Sequence, residues 1–251
     1  MALSRTTYTL SVATAPHGTG GFTTGAFTPP NSSLLVVAVF AHANVLGADI
    51  SADMTIADSE TLTWTSRVVI GSATADGGGL RIWTAPVTTG ASMTITVDCG
   101  ARDVWKYHVH RYAYEGYNTS SPTGATASAA VDSPADDETI TLSASPASTS
   151  EVVAAMGEVF GGDTHSVTVG TGWTEIYEDT VAGDFSLSQS QIRTGSTSTT
   201  VVWDDVDAGT AFANPGLFAA LEIKVASAGI TTEYVAPVAA SGGAMIGRRY
   251  I

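Results

Sequence analysis

Residues 32–43 read SSLLVVAVFAHA, and whether this run is helix or strand decides the fold class. Its apolar residues are continuous, so periodicity alone does not separate the two. The β-branched valines at 36, 37 and 39 suit a pleated surface, and Pro29-Pro30-Asn31 is a turn signal immediately before them. Both features favour a buried strand. The neighbouring segments agree. Thr7 to Val12 alternates, His17 to Gly21 breaks the pattern, and Thr61 to Ile70, Leu80 to Ala85, Ser92 to Val97 and Trp105 to Glu115 read as further strands. No window keeps apolar residues at helical spacing between capping signals. The expectation is an all-β chain.

Composition points the same way. Of 251 residues, 44% are hydrophobic and only 14% charged, so Thr, Ser and Gly carry the polar share. Thr suits strands, whereas Gly and Ser suit turns. The net charge of −14, from 10 basic and 24 acidic residues, is spread along the chain. Phosphate backbones and anionic headgroups would repel it, so nucleic acid is excluded as a partner. Cys99 is the only cysteine, which rules out an intrachain disulfide scaffold. The first residues, MALSRTTYTLSVATAP, alternate like a strand and do not read as an export signal. The most apolar run, Leu34 to Ala43, is about half of what a bilayer needs, so no membrane insertion is expected.

The order of features occurs twice. EVVAAMGEVF (151–160) stands where SSLLVVAVFA stood, and GTGWTEIYED (170–179) where ETLTWTSRVV (60–69) stood. SLSQSQIRTGSTSTTVVW (186–203) parallels RIWTAPVTTGASMTITVD (81–98), with Thr194-Gly195 opposite Thr89-Gly90. GLFAALEIKV (216–225) closes the second unit as HVHRYAYEGY (108–117) closes the first. The reading is two distantly repeated, tandem antiparallel β-sandwich units of jelly-roll-like form, each of a common sandwich size. Their expected bounds are 1–118 and 136–228, with a linker or long loop over 119–135 and a C-terminal arm over 229–251. One larger sandwich built from all the strands is the alternative.

Candidate sites follow from residue type and spacing. His108 and His110 share one strand face and could both reach a metal ion, although zinc needs further ligands. Asp204, Asp205 and Asp207 gather three carboxylates before Gly209, a composition that suits calcium but lacks the spacing of a known loop. Trp64, Trp83, Trp173 and Trp203 fall on or beside strands and read as core. Trp105, Tyr107, Tyr112, Tyr114 and Tyr117 form a candidate surface for a glycan or protein partner. Met245, Ile246, Arg248, Arg249, Tyr250 and Ile251 give the arm an apolar and basic end suited to docking on a neighbour. No G-x-S-x-G elbow and no phosphate loop occurs, so neither an enzyme nor a cofactor is expected.

The repeated unit combines a buried LLVVAVF strand, a Trp-Thr strand, a Thr-Gly turn leading into Thr94-Ile95-Thr96-Val97, and an aromatic strand closing at Tyr114-Glu115-Gly116. Across residues 7–226 this resembles β-sandwich surface proteins of tailed-phage virions and phage-like particles, such as head decoration, head spike or fibre, and tail-associated proteins. The resemblance implies a non-enzymatic structural protein on the particle surface, assembled in the bacterial cytoplasm. It also implies a homo-oligomer docked on a capsid or tail protein, and in some relatives attachment to host glycans. A carbohydrate-binding module is the alternative from another class, and a depolymerase is third.

Overall fold

The computed structural model describes residues 2–44, 48–72, 77–131, 137–159, 167–179, 186–204 and 216–226. These residues hold strands and no helix. In the first unit the strands are β1 (Ser4–Val12), β2 (Phe22–Thr23), β3 (Ser33–Ala43), β4 (Thr55–Asp58), β5 (Thr65–Ser72), β6 (Gly78–Val87), β7 (Ile95–Asp98) and β8 (Val104–Glu115). The second unit has β9 (Thr123–Val131), β10 (Glu138–Thr141), β11 (Glu151–Val159), β12 (Thr168–Val169), β13 (Thr174–Asp179), β14 (Ser186–Thr194), β15 (Thr200–Asp204) and β16 (Gly216–Ile223).

Each unit pairs a five-stranded sheet with a three-stranded one. The first unit has the orders β1-β8-β3-β6-β5 and β2-β7-β4, and the second has β9-β16-β11-β14-β13 and β10-β15-β12. Every strand therefore has its counterpart eight strands later in the same place, and the repeat read from the sequence is a repeat of topology. The strand sets 1-8-3-6 and 2-7-4 are those of a jelly roll, with the fifth strand paired to the sixth on the larger sheet. Trp64 and Trp173 both stand just before the counterpart strands β5 and β13.

One expected boundary is corrected. Residues 119–135 were expected as a linker, yet Thr123–Val131 is β9, paired along its length with β16. Its sequence, TGATASAAV, lacks large apolar residues, and at this sheet edge only Ala125 and Ala127 are buried. The same composition reads as a loop when the sequence is viewed alone.

The two large sheets pack face to face. β3 lies over β11, β8 over β14, β6 over β16, β1 over β13 and β5 over β9. Since β5 and β13 are counterparts, as are β1 and β9, this arrangement is an approximate two-fold running along the strands. The result is four layers and three cores. Leu35, Val37, Val39 and Ala41 of β3 face the small sheet of the first unit. Leu34, Val36, Ala38 and Phe40 face Val153 and Ala155 of β11 and Leu217, Ala219 and Leu221 of β16. Val152, Ala154 and Met156 face the small sheet of the second unit, with Trp203 and Phe218. Alternate residues of a strand point to opposite faces, so β3, central in its sheet, is apolar on both. That is why residues 34–41 show no alternation.

The two large sheets approach closely at Gly157, where an added Cβ would run into the ring of Phe40. The absent side chain lets that ring seat between the sheets, stacked on His108 at 5.6 Å between centroids. Gly157→Ala is expected to lower the unfolding free energy by roughly 1–3 kcal/mol through overpacking. Phe40→Ala should cost about 3–5 kcal/mol. The double variant should lose clearly less than the sum, because the two changes share one contact. Urea denaturation of the four proteins measures all three values.

Candidate functional site

Four of the five aromatic residues expected at the surface are inside. Tyr107, Tyr112 and Tyr114 have no exposed surface and Tyr117 is also buried. They lie on or just beyond β8, which is flanked by strands on both edges and covered on both faces. Tyr107 packs in the first unit's core, where its hydroxyl accepts the Cys99 N–H at 3.2 Å. Tyr112 and Tyr114 face the second unit. Trp105 alone of the five is only half-buried. Asp204 is half-buried at the end of β15. Asp205, Asp207 and the arm residues Met245, Ile246, Arg248, Arg249, Tyr250 and Ile251 lie outside the described residues.

What these strands build is a polar seam between the two units. Even-numbered residues of β8 from Lys106 to Tyr114 point toward the second unit, and β14 answers with Ser186, Ser188 and Ser190. His108 Nε2 lies 2.8 Å from Ser186 Oγ, and His110 Nε2 lies 2.8 Å from Ser188 Oγ. Lys106 Nζ pairs with Asp179 Oδ2 at 2.8 Å, and His108 Nδ1 reaches the same oxygen at 3.2 Å. At the far end Glu151 accepts from Arg5 at 2.5 Å, from Tyr114 at 2.6 Å and from Thr194 at 2.8 Å.

The network fixes the proton on one of the two histidines. Ser188 donates its own proton to the Met156 carbonyl at 2.8 Å, so it accepts from His110 Nε2–H. His108 lies between Ser186 at Nε2 and Asp179 Oδ2 at Nδ1. Burial would raise the Asp179 carboxyl, but hydrogen bonds from His108 and Lys106 outweigh it and bring it to about 2. Burial, reinforced by the nearby His108, lowers both His42 and His110 to about 3.

Ser186, His108 and Asp179 therefore stand in the order hydroxyl, imidazole, carboxylate. Such an order relays protons, yet Ser186 and His108 have no exposed surface and no substrate can reach them in this arrangement. His108 and His110, expected as possible metal ligands, are instead turned to these serines and to Asp179. Among the described residues no three His, Cys, Asp or Glu side chains gather to hold a metal ion. The Cys99 thiol is pushed up by burial to about 11, so it stays protonated at neutral pH.

Other buried polar groups fasten layers together. Arg111 donates to the carbonyls of Gly25 and of Thr9 on the neighbouring β1, with the Phe27 ring centroid 4.6 Å from its guanidinium carbon. Gln189 and Gln191 cross the third core to the carbonyls of Val167 and Val202. A groove of about 530 Å³ beside Thr123, Ser143 and Lys224 contains Glu222, whose carboxylate is taken by the N–H groups of Ala125 and Ala147.

The seam was not visible in the sequence. Its members come from β1, β8, β11, β13 and β14, and the one available signal was the His-x-His spacing of residues 108–110. No family model matches the chain, and no curated protein or solved structure matches it.

Acid should act through the buried histidines. Below about pH 6.5 the unfolded chain protonates His42 and His110, whereas the folded chain keeps them neutral to about pH 3. Stability accordingly falls as pH drops through that window, by up to about 1.4 kcal/mol per pH unit for each histidine. The urea midpoint of the His42→Gln/His110→Gln double variant should depend less on pH across this range than that of the parent.

Proposed function

We propose that the protein is a non-enzymatic structural component of a tailed-phage or phage-like particle surface, docked on a capsid or tail protein as a homo-oligomer. The observation that carries the reading is a jelly roll written twice and stacked through its large sheets. Jelly rolls recur in viral capsid and lectin domains, and that support is analogy of fold, since a fold hosts many functions. Chemistry supports it from another side. Buried charged and polar side chains across all three cores are bonded between layers, which suits a body whose task is to hold shape.

Among the described residues Val69 is the one large hydrophobic side chain exposed to solvent. Docking on the described surface would then rely on polar contacts and strand edges, with further contacts supplied by the arm. The carbohydrate-binding alternative is weakened, because the aromatic platform it needs is reduced to Trp105.

Quantitative mass spectrometry of purified particles tests the reading. A fixed copy number relative to the major capsid or tail protein is expected. Absence from particles would overturn it and bring glycan binding forward, to be examined through loss of binding in Trp105→Ala.

A further inference from the structure

The charged end of the seam is not demanded by the fold. The approximate two-fold relates the contact of β8 with β14 to that of β16 with β6. The second contact is apolar, built from Leu80 and Ile82 against Leu217, Ala219 and Leu221. The same architecture thus closes without charge in one half of the interface and with a buried lysine and carboxylate in the other. Lys106 is 2% exposed and Asp179 12% exposed, and Nζ stands 2.8 Å from Oδ2. A buried ion pair adds little stability over apolar residues of similar size, so stability alone gives no account of this pair.

We infer that Lys106 and Asp179 are a self-modification site, at which the two side chains condense into an amide joining the first unit to the second. The step balances without a co-reactant. The Nζ–Cγ bond forms, one Cγ–Oδ bond breaks, and Nζ gives up two of its three protons to the departing oxygen, which leaves as water. An ammonium and a carboxylate become a neutral amide, and nothing is oxidised or reduced.

Three features of the site favour this direction. Fixing both groups on strands of opposed sheets supplies an effective concentration on the order of 10⁵–10⁸ M when the geometry is right. Lys106 and the Oδ2 atom of Asp179 are buried, which disfavours the reverse hydrolysis, and loss of the two charges removes a desolvation penalty. His108 supplies the relay. Its Nδ1 lies 3.2 Å from Asp179 Oδ2, so it can take one proton from the reacting nitrogen and pass it to the leaving oxygen, the second proton moving directly from Nζ to that oxygen. Ser186, 2.8 Å from Nε2, holds the ring in place. The ion pair is the resting state before reaction, and His108 acts as a positioning and proton-transfer group within one turnover. This inference does not depend on the particle assignment.

Intact-mass measurement of the purified full chain tests it. The parent is expected to be lighter than its sequence by one water. Tryptic digestion should fail to cut after Lys106 and should yield a branched peptide joining residues 103–111 to 112–193. Lys106→Arg keeps a cation opposite Asp179 but has no primary amine, and Asp179→Ala removes the acyl group. Both should have their full mass, and His108→Gln should slow the loss of water at least tenfold in freshly refolded protein. A parent of full mass that trypsin cuts after Lys106 overturns the proposal. So does a water loss that persists in Lys106→Arg, which would then come from elsewhere, for instance succinimide formation at Asp76-Gly77.

Discussion

The inner strands of both five-stranded sheets are covered on both faces, and the remaining features of the molecule follow from that double burial. A sheet in a two-layer sandwich needs apolar residues on one side only. Here β3 and β11 carry them on both, so their side chains divide between an outer core and the shared middle one. The middle core has no counterpart inside a single unit. Separating the units would expose Leu34, Val36, Phe40, Leu217 and Leu221 to water together, and this couples the two repeats thermodynamically. Packing at that depth leaves little freedom, which is why a glycine faces Phe40.

The repeats are equal in topology and unequal in chemistry. Their approximate two-fold resembles that of a dimer whose subunits have been joined in one chain. A true dimer would have to use the same residues in both halves of the interface. A fused pair is free to differ, and this one has an apolar half and a polar half. Lys106, His108, His110, Tyr114 and Glu151 occupy the polar half and bond across to partners of fixed geometry. Apolar contacts tolerate sliding, whereas paired hydrogen bonds favour one register. The polar half therefore sets how the units align and the apolar half supplies most of the burial.

Among the described residues many polar side chains are directed inward. Arg111 ties β8 to Thr9 of the neighbouring β1 and to Gly25, Gln189 and Gln191 tie the second large sheet to its small sheet, and Glu222 caps the backbone of Ala125 and Ala147. Groups held this firmly move little, because displacing them would break the bonds that hold the layers. The same firmness suits a component that keeps its shape under load, and a covalent link at the charged end of the seam would extend it.

Sequence by itself determined the strands and their repetition. Valine-rich runs framed by proline and glycine fold as strands because β-branched side chains and turn formers act locally, and the recurrence of Trp-Thr and Thr-Gly marked counterpart strands. It also indicated Trp64 and Trp173 as core, and Trp173 is buried while Trp64 is half-buried against the first core. The fate of Tyr107, Tyr112, Tyr114 and Tyr117 was decided by tertiary structure alone. Aromatic strands look the same whether they face solvent or a second sheet, and only the stacking of the units covers β8. The small-residue segment Thr123–Val131 was misread for a related reason, since its strand state depends on pairing with β16, nearly a hundred residues away. Lys106, His108, Asp179 and Ser186 became neighbours the same way. Local propensity acts over a few residues, but a seam between sheets is set by which faces meet, and that is a property of the folded chain.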